Sequence, residues 1–198
     1  MLFRRIAGPA PTLDMQEDPE MKKQSLVAMS LAALAAGYAT AEAGTLPSIP
    51  ESLRTPAAEI LTLETAARGV QIYQCSARQD EPTRFEWTFK APEADLFDTT
   101  GRKIGKHYAG PTWESDDGSK VVGVLKARDN GPDADAIPWL LLGAKSTAGS
   151  GVFSRTTSIQ RVRTVGGIPP TETCSEAQAG NVSRVGYSAT YYFYVAKP

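Results

Sequence analysis

Apolar and polar residues alternate along much of this chain with a period of two, and no segment between them carries a convincing helical period. The clearest case is Arg84-Phe85-Glu86-Trp87-Thr88-Phe89-Lys90. Its three aromatics share one face of a pleated strand, while Arg84, Glu86, Thr88 and Lys90 share the other. That aromatic face must be buried or bind something. Near the C-terminus Val185, Tyr187, Ala189, Tyr191, Phe193 and Val195 share one parity and predict a core-facing strand over 184–196. The other parity places Tyr192 and Tyr194 outward, as a contact patch or as part of a second layer.

Shorter runs fill the interval. Residues 60–63 and 70–75 read as a hairpin around Ala67-Arg68-Gly69. Residues 96–98 and 103–109 flank a turn at Thr99-Thr100-Gly101-Arg102, and Asp116-Asp117-Gly118-Ser119 is a strong turn ahead of a strand over 120–127. Residues 129–136 read as a loop. The apolar segment 137–142 stays open between a strand and a helical turn, because it is short and carries Pro138. Residues 152–165 predict a long strand ended by Gly166-Gly167 and Pro169-Pro170. Eight or nine short strands without intervening helices predict an all-β fold, a mostly antiparallel sandwich or barrel, as a single domain over 57–198.

The start of the chain has a different character. Met21-Lys22-Lys23 precedes an apolar run over 26–36, and Ala39-Thr40-Ala41 and Ala41-Glu42-Ala43 each offer an Ala-x-Ala cleavage pattern. A basic segment, a short apolar segment and small residues in that order predict a signal peptide over 21–43, and so a secreted or periplasmic product. The run is too short for a membrane span, which takes ~20 residues. Residues 1–20 carry Asp14, Glu17, Asp18, Glu20 and three prolines, and read as a mis-assigned start or a disordered leader. Pro47, Pro50 and Pro56 mark 44–56 as an extended lead-in.

Composition removes several classes. The 198 residues include 21 basic and 22 acidic side chains, a formal charge of -1, which gives no electrostatic attraction for nucleic acid. One histidine and two cysteines exclude a multi-histidine metal centre or a zinc finger within one subunit. Asp129, Asn130, Asp133 and Asp135 offer oxygens suited to calcium, but their spacing misses the EF-hand pattern. No Gly-x-Gly-x-x-Gly turn opens a helix, so no nicotinamide cofactor is expected, and no other cofactor or metal is called for. Cys75 and Cys174 both follow the apolar leader, and an oxidising compartment tends to join such a pair. The link would close a loop of about 100 residues.

Candidate chemistry gathers at His107-Tyr108-Ala109-Gly110-Pro111-Thr112-Trp113-Glu114. This segment holds the only imidazole, two aromatics and a carboxylate around a chain break. His107, Tyr108, Trp113 and Glu114 are residue types that grip a small polar ligand or a sugar, by stacking and by hydrogen bonds to hydroxyls. The plainer alternative puts Trp113 in the core with His107 and Glu114 on a solvent face. In a regular strand His107 and Tyr108 point to opposite faces. Acid–base chemistry by Glu114 with Asp116 or Asp117 needs two carboxyls at a defined separation, and these aspartates belong first to a turn.

The segments Gly69-Val-Gln-Ile-Tyr-Gln-Cys75, Phe85-Glu-Trp-Thr-Phe89, His107-Tyr-Ala-Gly-Pro-Thr-Trp-Glu114 and Tyr187-Ser-Ala-Thr-Tyr-Tyr-Phe-Tyr194 taken together resemble a family of secreted bacterial and fungal proteins, domain-of-unknown-function family three-four-five-five, over roughly residues 47–197. The resemblance implies export, one β-rich domain and paired cysteines; it implies no catalytic residues. The expected function is an exported, non-catalytic module that binds a small ligand, a glycan or a protein surface. A secreted hydrolase using carboxylates near His107 and a structural cell-envelope protein are the alternatives.

Overall fold

The computed structural model describes residues 47–198. The expected leader over 1–20 and signal peptide over 21–43 lie outside the described residues. Eight strands follow in order: β1 (Glu59–Ala77), β2 (Phe85–Phe97), β3 (Lys103–Tyr108), β4 (Thr112–Ser115), β5 (Lys120–Asp129), β6 (Trp139–Ala148), β7 (Thr156–Gly166) and β8 (Val182–Ala196). Each pairs antiparallel with the next, and β8 returns to pair with β1. The all-β expectation therefore resolves as a closed barrel, an arrangement that leaves no sheet edge unpaired. Among the described residues helical structure is limited to two 3-10 turns, Glu51–Leu53 and Glu176–Gln178, and none is long and apolar enough to cross a membrane.

The hairpin expected around Ala67-Arg68-Gly69 does not form, because β1 runs unbroken through it. Gly69 is there to let a neighbour approach: a Cβ at this position would lie 2.1 Å from the Glu93 carbonyl oxygen of β2 and 2.4 Å from the Ala94 Cα. A glycine inside a strand commonly marks such a close crossing, where a sheet must curl to close. Segment 137–142 is strand for most of its length, as the start of β6. The strand expected from 152 begins instead at Thr156, after a loop that drives Phe153 into the barrel.

Side-chain alternation sorts residues to the two sides of the wall. Inside, Ala67, Leu96, Trp113, Val121, Leu142, Phe153, Ile159, Tyr191 and Phe193 form one continuous core. Phe153 and Phe193 pack 4.6 Å apart between ring centroids and fill the end that carries the β2–β3, β4–β5 and β6–β7 connections. Outside, Leu53, Trp139, Val162 and Tyr192 form a second cluster with Ile49, Leu141 and Tyr194 against it. The outward parity of β8 is thus covered, and Tyr192 is only 1% exposed. What covers it is the lead-in, whose Leu53 is fully buried and whose Leu53 carbonyl accepts a 2.7 Å hydrogen bond from Gln160 Nε2. Apolar outward residues on β6, β7 and β8 need this cover, since each would otherwise leave a large hydrophobic surface in water.

Cys75 and Cys174 are joined in a disulfide with their Cα atoms 5.6 Å apart. The bridge fastens the end of β1 to the long β7–β8 connection. The backbone supports the same contact, with Cys75 N–H donating to Asn181 O at 2.9 Å and Gly180 N–H donating to Cys75 O at 2.9 Å.

Candidate functional site

The β1–β2, β3–β4, β5–β6 and β7–β8 connections gather at the end of the barrel opposite the Phe153 plug. There the interior is incompletely filled. One cavity of about 330 Å³ is bounded by Phe89, His107, Trp113, Leu125, Leu140, Leu142 and Tyr191 beneath the 109–111 turn. A second of about 380 Å³ lies against Gln71, Tyr73, Trp87, Arg128, Ile137 and Pro138. The two share Phe89, Leu125, Leu140 and Arg161, so they are adjoining lobes of one mouth. Their size falls within the range of small-molecule sites, which are concave and mainly apolar with a few placed polar groups.

The aromatic face of β2 explains one wall. Trp87 and Phe89 stand opposite Cys75 and Tyr73 of β1 and turn inward toward the mouth. Trp87 also ties the β7–β8 connection down by donating from Nε1 to the Glu172 carbonyl at 3.0 Å. Phe89 and Leu125 stay 49% and 54% exposed although they line both lobes. Large apolar side chains held in water at the rim of a cavity are a costly arrangement, and one suited to an apolar guest.

Of the four residues singled out in the sequence, the structure brings two to the cavity. His107 and Trp113 are cross-strand partners on β3 and β4 and both face inward. Their rings stack at 4.4 Å with 14° between planes, and Tyr191 meets both edge-on at 5.2 and 5.3 Å. Gly123 on β5 makes room for the indole: a Cβ there would stand 2.9 Å from it. His107 Nδ1 donates to the Thr112 carbonyl at 2.8 Å, which fixes the tautomer and leaves Nε2 as an acceptor. Burial pushes the imidazole down to about 3, with the positive charge of Arg161 adding to the effect, so the ring is neutral at ordinary pH.

Tyr108 and Glu114 occupy the outer face. The Tyr108 hydroxyl donates to Glu114 Oε2 at 2.5 Å, and Lys106 and Lys120 approach the same carboxylate at 3.5 and 3.9 Å. The Tyr108 bond, then the two ammonium groups, hold the Glu114 carboxyl below its usual range. Asp117 lies at the plugged end. Its Oδ1 accepts from Ser119 N and Oγ at 2.8 and 2.6 Å, and its Oδ2 accepts from Val152 N at 2.9 Å. No carboxylate side chain lines either lobe beside His107. In the 129–136 loop, Asp129 and Asp133 accept from the Gly131 and Asp135 amides, and among the described residues no three His, Cys, Asp or Glu side chains converge on a metal position.

Sequence reasoning missed Arg161. It reaches the interior from β7, where Nε and Nη2 donate to the Pro138 carbonyl at 3.0 and 2.8 Å. Among the described residues no carboxylate lies within ion-pair distance of it. Gln71, Trp113 and Tyr191, which line the lobes with it, and Tyr187, whose ionisation it influences, each carry a polar atom buried without a partner: Gln71 Nε2, Trp113 Nε1 and the two hydroxyls. The two tyrosines and Arg161 are close enough to influence one another's ionisation, yet their contacts fall short of hydrogen-bond geometry, and burial raises both phenols. The sequence signal was weak, because neither parity of 156–164 is uniformly apolar and an inward arginine does not stand out.

Neither the curated proteins nor the solved structures contain a match to the chain. A family model does match, over residues 56–195, which takes in β1 to β7 whole, β8 up to its last residue, and both lobes of the mouth. The chain belongs to the family described as protein of unknown function (DUF3455).

Proposed function

We propose that this protein is an exported binding module that holds a small, largely apolar molecule in the open end of its barrel. The observation that carries the reading is the two-lobed mouth, whose floor is the His107–Trp113–Tyr191 cluster and whose rim keeps Phe89 and Leu125 in solvent. Empty apolar volume under exposed apolar side chains is stabilised by a guest that removes both from water, at about 25 cal/mol per Å² of apolar surface covered. Export rests on the basic-then-apolar pattern at 21–43, and the Cys75–Cys174 disulfide is compatible with an oxidising compartment.

The geometry gives less to a hydrolase. His107 is neutral and interior, whereas Glu114 is on the outer face and Asp117 is at the far end of the barrel, so the expected acid–base partners do not meet around a shared volume.

The test uses the neutral fluorophore N-phenyl-1-naphthylamine. The wild-type protein should bind it with enhanced emission, and Leu125→Trp, which places a larger ring at the shared rim, should weaken binding several-fold with the fold intact by circular dichroism. Equal binding by wild type and Leu125→Trp would move the site elsewhere, and no binding by wild type would remove the reading. Mass spectrometry of protein purified from the exported fraction identifies any retained guest.

A further inference from the structure

Resting on that reading, we infer that the guest is a carboxylate: an apolar or aromatic body in the first lobe, with its anionic group held at Arg161 in the second. The charged side chains lining the two lobes are Lys90, Arg128 and Arg161, all cationic, and no aspartate or glutamate lines either. That bias is local, since the chain as a whole carries a charge of only -1.

The hydrogen-bonding inventory points the same way. A guanidinium has five N–H donors and no acceptor, and Arg161 uses Nε and Nη2 on the Pro138 carbonyl. Its remaining donors have no carboxylate among the described residues to meet them. Gln71 lines the same lobe and is 2% exposed as a residue; its Nε2 is buried behind the cavity wall without a partner, and an amide NH2 only donates. A donor left unpaired is unfavourable, so the spare Arg161 donors at the junction of the lobes, with a second unpaired donor in the wall beside them, favour a guest that brings acceptors. A carboxylate matches best, because its two oxygens accept from a planar guanidinium in parallel and from a neighbouring amide at the same time.

The body of the guest is set by the other lobe. Phe89, Trp113, Leu125, Leu142 and Pro111 present apolar surface, and His107, the one ring acceptor, lines only this lobe, away from the second lobe's Gln71 and Arg128. Arg161 sits where the lobes join, so one molecule reaches both. The ester of such an acid keeps its body and loses its charge, and separates the two contributions.

The experiment titrates the purified protein with naphthalene-1-acetate and with its methyl ester by calorimetry at pH 7. The acid should bind at least about tenfold more tightly, as expected for charge-assisted hydrogen bonds. Arg161→Gln should abolish that preference, bringing the affinities for acid and ester to within about twofold of each other, and Arg161→Lys should keep part of it. Rising salt should weaken the acid and leave the ester unchanged. Equal affinities of acid and ester for the wild type, or a preference that survives Arg161→Gln, would overturn the inference while leaving the cavity a binding site. Binding of neither probe would overturn the inference, and with N-phenyl-1-naphthylamine unbound as well it would overturn the cavity reading too. Should Arg161→Gln fail to fold, the wild-type comparison and exposed Arg128→Gln, expected to reduce the acid preference, decide the matter.

Discussion

His107 lies flat against Trp113, ring centroids 4.4 Å apart, and its Nδ1–H is held by the Thr112 carbonyl. The stack makes an ionisable ring part of the hydrophobic core: His107 is 2% and Trp113 1% exposed. Burial away from water is the main reason the imidazole is depressed to about 3, and the positive charge of Arg161 in the same interior adds to it.

The consequence is an acid sensitivity with a definite window. The folded form binds a proton on His107 less readily than the unfolded chain, whose imidazole titrates near 6.5. Its contribution to stability is therefore complete above about pH 6.5 and is lost as the pH falls toward 3, at a slope of up to about 1.4 kcal/mol per pH unit. Denaturant unfolding of wild type and His107→Gln at pH 4 to 8 should show a steeper acid loss in wild type. Because this is the chain's one histidine, its lone imidazole NMR signals should stay fixed between pH 8 and 4 in the folded protein. A signal titrating near 6.5 would contradict the burial.

Much of the barrel was legible because strands with one buried face write it into the sequence. Tyr187, Ala189, Tyr191 and Phe193 alternate cleanly, and all four are buried. The turns at Thr99–Arg102 and Asp116–Ser119 also followed from local chemistry. What local pattern could not supply depends on distant partners. Gly69 looks like a turn residue until Glu93 and Ala94 are seen pressed against it. Tyr192 looks solvent-facing until Leu53, from more than 130 positions earlier, is laid over it. At the candidate site the sequence located His107 and Trp113, while Arg161 was hidden in a strand whose two parities are both mixed.

Asp117 should prove structural. Its carboxylate joins the β4–β5 turn to the Val152 amide, and Ser119 Oγ, which donates to it, accepts from the Phe153 amide at 3.1 Å. This linkage seats the Phe153 plug. The hydrogen bond from Ser119 is the main reason the carboxyl is lowered to about 2. Its stabilisation is present above the unfolded value near 3.8 and fades as the pH falls through 2. Asp117→Ala should lower unfolding free energy by about 1 kcal/mol, a modest figure because the group is near solvent. Urea titration reads the loss, and binding at the opposite end of the barrel should be unaffected.

Removing the disulfide should act on both stability and the mouth. Cys75 and Cys174 are 99 positions apart, so the bridge restrains a long loop of the unfolded chain. Replacing both cysteines by serine should cost about 2–4 kcal/mol. The β7–β8 connection also carries Pro169, which lines the second lobe, and is held by Trp87 at Glu172. Hydrogen exchange in residues 168–181 should therefore rise in the double variant beyond what the stability loss alone produces.

The lead-in gives the last expectation. Leu53 is fully buried against Trp139, Val162 and Tyr192 on the outside of the wall, and its carbonyl accepts from Gln160 Nε2, whose Oε1 in turn accepts from the Tyr194 hydroxyl at 2.7 Å. The short turn at Glu51–Leu53 is thus a clasp across β6, β7 and β8. Leu53→Ala should destabilise the protein by about 2–4 kcal/mol, the usual cost of truncating a buried leucine. Deleting 47–56 should do the same and also expose Tyr192, detectable as increased binding of an apolar dye that Leu125→Trp does not block. If Leu53→Ala unfolds at the wild-type urea midpoint, the outer cluster contributes nothing and the barrel stands on its interior alone.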